Sequence, residues 1–581
     1  MPEIRPTAAA GELPPVPDHL TIPQFMLDSG YVDTLRPKRP GHGPFLIDDA
    51  SGRKVSLDEL RDRTQALANV LSSVYSIGEE DVVLVFSRNH LDYPVVLWAT
   101  HRLGGIVSPA NPDFNHSELE YQLKATQAKL LIIHPEAVEA ATTAAKTFGL
   151  PTDRILVLDV DNVKPPKSLV NINSLIKKGS EMKPVPERIL KPGEGKTKLA
   201  LLSFSSGTTG RPKAVAIPHT SLIANVLQVA THSRLQDESI KWEDRRYRPG
   251  DVCIGVLPLY HIYGLVFNLH FMLYCSIDLV IVPKFNFEAM LKSVVRHRIT
   301  HLIIVPPQAI LLCKHPAMKK YKLDTVRTIM TGAAPLSDEV NQMLFKLFPD
   351  AHIGQGYGMT ETCTVVSLWP ITRKRGQSGS AGELIPGVIA RVLKPDGTLG
   401  GYNEIGELMV KVPSAALAYY NNPQATKETF IDGWVRTGDE VRITPDGELW
   451  IVDRLKEIMK VRGFQVAPSE LEGTLLDHPD VSDVCVVGIP DDYSGEVPLA
   501  FVVLSADAAA RVKKTPAALE DARASIINHI RDNKIAYKHL AGGVEFMESI
   551  PKTASGKLLR RVLRDKAKEL RKGSTTTRAK L

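Results

Sequence analysis

Leu201–Val215 reads LLSFSSGTTGRPKAV, and the nine residues from Ser205 to Lys213 hold four hydroxyl side chains, two glycines and a lysine directly after an apolar run. Small residues let backbone N–H groups approach an oxyanion, and hydroxyls and an ammonium donate to it. This is the composition of a phosphate-binding loop. A Walker loop needs G-x-x-x-x-G-K-[ST] running straight into a helix whose N-terminus faces the phosphates. Here Pro212 separates Arg211 from Lys213 and biases Arg211 away from the helical region, and the run AVAI that follows is apolar with β-branched members. The stretch is therefore expected to be strand, loop, strand, which sets it apart from the P-loop NTPases.

Around this loop, from about Ser56 to Ile281, strand-like runs such as DVVLVFS, AKLLIIH and DVCIGVLPL alternate with helix-like ones such as SLIANVLQVATHSRL. That beat predicts parallel α/β layers, and a second set follows in AMLKSVVRHRI, THLIIVPP and TVRTIMTGAAPL. From about Gly382 the strands shorten and two Asp-Gly turns read as hairpins, so a compact β-barrel-like unit is expected before Asp453. Beyond it the layout changes to a small α+β domain of about 120 residues. The predicted fold is thus α/β. A large N-terminal domain over residues 1–455, made of two α/β layered subdomains and the β-barrel-like one, precedes a small mobile C-terminal domain over 456–581 with a basic tail.

Composition fits a soluble globular protein, a large folded enzyme or scaffold: 581 residues, 43% hydrophobic and 23% charged, with a net charge of only +6. The last thirty residues carry eleven Lys or Arg against Asp565 and Glu569, read first as a solvated helix and tail and second as attraction for a polyanion. No aromatic residues are interleaved, so nucleic acid is not the expected partner. Five cysteines with no C-x-x-C argue against a disulfide framework or a zinc site and fit a reducing interior. Met1–Pro17 has no signal-peptide pattern. The most apolar stretch, Gly264–Pro283, is interrupted by Asn268, His270 and Asp278, so it is expected to be a buried helix running into a buried strand, with no transmembrane span. The chain ends Ala579-Lys580-Leu581, which resembles the S-K-L address for a peroxisomal import receptor. Peroxisomal delivery is expected, with the cytoplasm as the alternative.

Four further motifs accompany the loop. In GQGYGMTET, Gly354–Thr362, the glycines let backbone approach a flat ring, Tyr357 offers a stacking face, Thr360 a hydroxyl, and Glu361 a carboxylate suited to Mg2+ on phosphate oxygens. TGD, Thr437–Asp439, precedes Arg454 by fifteen residues, DRLKEIMKVRGFQVAPSELE runs from Asp453, and PKTASGKLLR holds Lys557. PLYHIYG, Pro258–Gly264, and TGAAP, Thr331–Pro335, lie between the first two.

In this order the motifs resemble those of the adenylate-forming enzymes, the superfamily of acyl-CoA synthetases, luciferase and adenylation domains, and most resemble its fungal and plant 4-coumarate-CoA ligase-like branch. The resemblance runs from about Asp18 to Arg561. It implies that Ser205, Ser206, Gly207, Thr208, Thr209, Gly210 and Lys213 hold the ATP phosphates. Gly332, Ala333, Ala334, Gln355, Gly356 and Tyr357 would form the adenine wall, with Thr360 at the α-phosphate, Glu361 on Mg2+, and Asp439 with Arg454 on the ribose. Lys456 aligns with a hinge about which the small domain turns. In one orientation Lys460, Gly463 and Gln465 would face the site, the glycine leaving room for the pantetheine arm of coenzyme A. In the other, Lys557 would reach the carboxylate and α-phosphate, where a cation offsets two anions that must meet. His261 would stand beside the carboxylate and the thiol path.

The implied activity is an acid-CoA ligase: a carboxylic acid and ATP give an acyl-adenylate and pyrophosphate, and CoA then displaces AMP. For the acid pocket the resemblance points to His261, Tyr263, Val266, Met330, Gly332, Gly356, Val365 and Val366. Val266 and Met330 stand where the plant ligases are commonly polar, so the far end is expected to be apolar. A buried unpaired phenol costs about 1–3 kcal/mol, which disfavours 4-hydroxycinnamate against a cinnamate, a phenylacetate or a medium-chain fatty acid. KVPSAALAYY departs from the family's usual R-G-P at that place, which leaves the local loop geometry open. A luciferase-like monooxygenase and a carrier-loading adenylation enzyme share these motifs and stand as alternatives. A monomer or weak oligomer is expected.

Overall fold

The structure is a computed structural model of the chain. It describes all residues except 1–2, 29–34, 38–44, 161–162, 164–165, 206–211, 335, 337, 456, 463, 492–493, 516, 554–555, 557 and 579–581, and leaves out the side chains of 465 and 571–578. The expectations for Ser206, Gly207, Thr208, Thr209, Gly210, Lys456, Gly463, Lys557, the Gln465 side chain and the terminal Ala579-Lys580-Leu581 therefore lie outside the described residues.

Val82–Phe86 is buried at all five positions, as a strand covered on both faces must be. It pairs in parallel with Ile106–Ala110 and Leu130–Ile133, and the sheet continues in parallel through Ile155–Val157 to Val170–Asn171. On the other side Ile106–Ala110 pairs with Leu199–Ser205, which turns back antiparallel on Lys213–Pro218 with Ser205 opposite Lys213. Leu201–Val215 is thus strand, loop, strand, as its proline and β-branched run predicted.

A second sheet runs in parallel from Leu46–Asp48 through Asp278–Ile281, Val252–Gly255, His301–Ile304 and Thr328–Thr331 to His352–Met359, and there Thr364–Leu368 reverses the direction. Between the two sheets the helix His219–His232 and a π-helix, Tyr263–Phe271, share one apolar cluster. The π-helix passes into Met272–Tyr274 and then the strand Asp278–Ile281, the buried helix and strand expected of Gly264–Pro283. No helix among the described residues is long and apolar enough to cross a membrane.

The β-rich unit departs from expectation. Its strands Ile389–Leu393, Leu399–Gly400, Ile405–Lys411, Phe430–Ile431, Trp434–Ile443 and Leu449–Arg454 form an antiparallel sheet with open ends among the described residues, not a closed barrel. The reason lies in its burial. Alternate residues Ala390, Val392, Leu408, Val410 and Val441 are covered by the main core, so the sheet hides its apolar face against a neighbour and needs no closure.

The smaller α+β part begins a new sheet at Met459–Val461. Its long hairpin, Val481–Asp491 with Gly495–Leu504, is joined in parallel by Gly543–Phe546 and packed by the helices Pro468–Leu476 and Ala518–Asn533. Among the described residues, its contacts with the large part include a hydroxyl, an ammonium and a carboxyl. Ser469 donates its hydroxyl to Asp453 Oδ2 at 2.9 Å. Lys314 Nζ donates at 3.0 Å to the carbonyl of Leu476, at the C-terminus of Pro468–Leu476. Beside that lysine the Glu339 carboxyl meets Asp477; its Oε2 is buried without a donor, and burial followed by Asp477 pushes it up to about 7.

Candidate active site

Glu361 lies in the short turn Thr360–Thr362, after which Cys363 and Thr364 hold positive φ of 51° and 103°. Such values are costly for a β-branched residue and mark a turn held by its surroundings. The Glu361 side chain is 5% exposed. Its Oε1 accepts two hydroxyls, from Ser205 at 2.9 Å and from Tyr419 at 2.7 Å. Lys213 stands 4.8 Å from the centroid of the Tyr419 ring. No donor among the described residues reaches Glu361 Oε2, so a carboxylate oxygen at the cavity wall is available to a hard divalent cation. The donor set of carboxylate and hydroxyl oxygens suits Mg2+.

About this carboxylate opens a cavity of about 670 Å³. One wall is formed by Ser205, Lys213, Thr360, Glu361 and Tyr419, and another by Gly332, Ala333, Gly356 and Tyr357. Ala333 takes a φ of 70°, which bends the chain around that wall. Tyr357 donates its hydroxyl to Asp439 Oδ2 at 2.5 Å, and Arg454 Nε lies 3.4 Å from Asp439 Oδ1. Burial first, and then the Asp439 charge, raise the Tyr357 phenol well above its ordinary range, so it stays a donor. Asp439 and Arg454 are opposite each other on paired strands, which fixes the ion pair through the sheet.

A third wall holds His261, Tyr263, Met330 and Val365. His261 Nδ1 accepts the backbone N–H of Tyr263 at 3.3 Å, which orients the imidazole at the start of the π-helix. The Tyr263 hydroxyl is buried with no partner among the described residues. Val266 and Val366 do not line this cavity. Both are buried in the core behind it, Val366 because successive residues of a strand face opposite sides and Val365 takes the cavity side. Gln355 and Ala334 also lie off the cavity lining. The Gln355 side chain instead accepts the backbone N–H of Leu336 at 3.1 Å and braces the loop that carries Ala333. Lys460 is exposed on the strand Met459–Val461, opposite Gln465, outside the cavity in this orientation.

From the small part, Thr553 lines the cavity and Gly556 packs on Val305 and Pro307. Tyr419, Thr429, Glu407, Arg436 and Phe204 also line it and were not anticipated. Tyr419 stands in the very stretch that departs from the family pattern, where a tyrosine between two strand runs was the available signal.

Comparison with known proteins gives the family. The model for "AMP-binding enzyme" matches residues 35–420, and that for "AMP-binding enzyme C-terminal domain" matches residues 470–557. The chain is 34% identical over 567 residues to 4-coumarate-CoA ligase 2 of Oryza sativa subsp. japonica, covering 95% of this chain and 93% of that protein. It is 32% identical over 568 residues to the acyl-CoA ligase easD of Emericella nidulans, covering 94% and 97%. Among solved structures, ATP-bound MatB from Rhodopseudomonas palustris superposes with a TM-score of 0.78 at 26% identity, covering 95% of this chain and all of that one. A benzoate CoA ligase from Burkholderia xenovorans shares the fold, with a TM-score of 0.76 at 22% identity over 94% of this chain and 100% of that one. The chain belongs to the AMP-binding enzymes, the adenylate-forming superfamily.

Proposed function

We propose that this chain, an ATP-dependent acid-CoA ligase, acts on an aryl or medium-chain carboxylic acid. The observation that carries the reading is one cavity that combines a two-hydroxyl-braced Glu361 beside Lys213, Tyr357 and Arg454 with Asp439 bonded to both just off the lining, and an apolar end at Met330 and Val365. Glu361, with phosphate oxygens, would hold Mg2+, which withdraws charge from the phosphates when bound.

The acid's carboxylate oxygen attacks the α-phosphorus of ATP, and the bond to the β-phosphate oxygen breaks to release pyrophosphate. Lys213, with Thr208 and Thr209, offsets the charge of that leaving group, Thr360 donates to the α-phosphate, and Lys557 brings the two anions together. Asp439 accepts the ribose hydroxyls and Tyr357 faces the adenine. The position of Thr553 at the cavity and of Gly556 on Val305 supports this small-domain orientation as the adenylate-forming one. The small domain then turns about Lys456 and brings Lys460, Gly463 and Gln465 to the site. The CoA thiol, its proton lost along the His261 side, attacks the acyl carbon and AMP leaves. The division at residues 455 and 456 belongs to this reading, as do peroxisomal delivery through Ala579-Lys580-Leu581 and a monomer or weak oligomer.

The Tyr263 hydroxyl, without a partner among the described residues, is a polar point in the third wall beside His261, and it favours an acid with a hydrogen-bond acceptor at that depth over a bare chain. The test is a screen of aryl and fatty acids with ATP and Mg2+, reading pyrophosphate and AMP with and without CoA. Pyrophosphate and a thioester are expected from at least one of these acids. No pyrophosphate from any of them refutes the substrate class, and pyrophosphate without thioester redirects the acyl group to another acceptor. Lys213→Ala is expected to lower adenylation at least tenfold while sparing thioester formation from supplied acyl-adenylate. An equal fall in both half-reactions would contradict the role given to Lys213.

A further inference from the structure

Tyr419 is tied by its backbone to both sides of the phosphate end of the cavity. Ala418–Tyr419 pairs antiparallel with the strand that begins at Lys213, Tyr419 standing opposite Val215. Tyr420 N–H donates to Ala214 at 2.7 Å, and Ala416 N–H donates to the carbonyl of Glu361 itself at 2.9 Å. The ring is 7% exposed and edge-on to Phe430, with centroids 5.6 Å apart. A side chain so enclosed has one orientation. Its hydroxyl reaches Glu361 Oε1 at 2.7 Å, while its face receives the Lys213 ammonium 4.8 Å from the centroid.

We propose that Tyr419 is a positioning residue that sets the spacing between the Glu361 carboxylate and the Lys213 ammonium, so that a divalent cation and the lysine engage one ATP phosphate chain together. This rests on the reading that Glu361 holds the metal. Two hydroxyls on Oε1 turn the carboxylate so that Oε2 is the oxygen left for the cation. Ring and hydroxyl have separable duties: the hydroxyl orients the metal ligand, and the π-face holds the ammonium.

The test is calorimetric titration of ATP into the full chain without any carboxylic acid, once with Mn2+ and once in EDTA. The ratio of the two affinities reports how strongly metal and nucleotide support each other, and a general loss of packing would not change it selectively. Tyr419→Phe keeps the ring and is expected to lower that ratio about tenfold, the usual scale for losing a partner of a metal ligand, with affinity in EDTA unchanged. Tyr419→Leu is expected to weaken binding in EDTA as well. An unchanged ratio in Tyr419→Phe overturns the proposal, as does an equal fall in both conditions. The phenylalanine variant decides alone if the leucine variant fails to fold. Since no acid is present, failure of the acid screen would leave this result standing. Wild-type protein that binds ATP no better with Mn2+ than in EDTA would remove its basis.

Discussion

At the scale of single residues, two glycines shape the acid end of the cavity. A Cβ on Gly332 would lie 3.2 Å from the Tyr263 Cζ and hydroxyl, and one on Gly356 would lie 2.8 Å from Met330 Cε. The first neighbour is a wedged ring, the second the free end of a flexible side chain. Gly356→Ala is therefore expected to fold, to push the Met330 methyl into the acid space, and to raise KM about tenfold for the bulkiest accepted acid, an effect of about 1.4 kcal/mol. Steady-state kinetics with a long and a short acid checks this, and equal effects on both acids would contradict it. These small residues, with Met330 and Val365, were legible in the sequence because resemblance assigns them by position. Val266 and Val366, expected beside them, lie off the cavity lining, because resemblance gives a residue's place in the chain whereas the facing of a side chain depends on the local backbone. Val366 alternates away from Val365, and Val266 lies on a π-helix, whose turn per residue differs from that of an α-helix.

At the scale of elements, the π-helix Tyr263–Phe271 holds both His261 at its start and Tyr263 in the wall. It can begin where it does because Gly264 has no side chain: a Cβ there would sit 2.3 Å from the Pro258 carbonyl oxygen and 3.0 Å from that of Leu257. Backbone on both sides cannot yield. Gly264→Ala is expected to cost about 2 kcal/mol or more and to displace His261. A lowered urea midpoint together with loss of both half-reactions would show this; a wild-type midpoint would refute it. The helix-then-strand reading of this segment rested on apolar content and length, both visible in the sequence. The π geometry was not visible, because every residue from Tyr263 to Phe271 is buried and hydropathy then has no period. The expected barrel failed for a related reason: Asp-Gly turns reveal hairpins, but closure depends on which edges meet, and here the neighbouring core covers the apolar face instead.

At the scale of the whole molecule, His101, His219, His270 and His301 are fully buried, and burial holds them neutral, His101 down to about 3 and His270 and His301 to about 4. An unfolded chain protonates these imidazoles near pH 6.5, whereas the folded one does so only near the depressed values. In that window the unfolded state binds more protons, so stability is full above pH 6.5 and falls as pH drops toward 4, by up to about 1.4 kcal/mol per pH unit for each imidazole. Urea midpoints at pH 7.5, 6 and 5 should decline steeply; a flat series would contradict the argument. What no motif reveals is how the two parts of the chain sit together, because single contacts such as Lys314 with Leu476 join residues with no pattern between them. One of those contacts counts protons. Glu339 faces Asp477, with Lys314 and His529 as its other charged or titratable neighbours, and burial followed by Asp477 raises its carboxyl to about 7. If the small domain turns as proposed and parts Glu339 from Asp477, the carboxyl is expected to return toward the ordinary value of 4.5. On that reading the present orientation would carry one extra proton between those limits, and so be favoured at low pH and lose that advantage as pH rises from about 4.5 to about 7. Glu339→Gln should flatten the pH dependence of the ratio of the two half-reaction rates between about pH 5 and 7, measured with supplied acyl-adenylate for the second. The acidity of the surrounding compartment would then set how this enzyme divides its time between making its mixed anhydride and spending it.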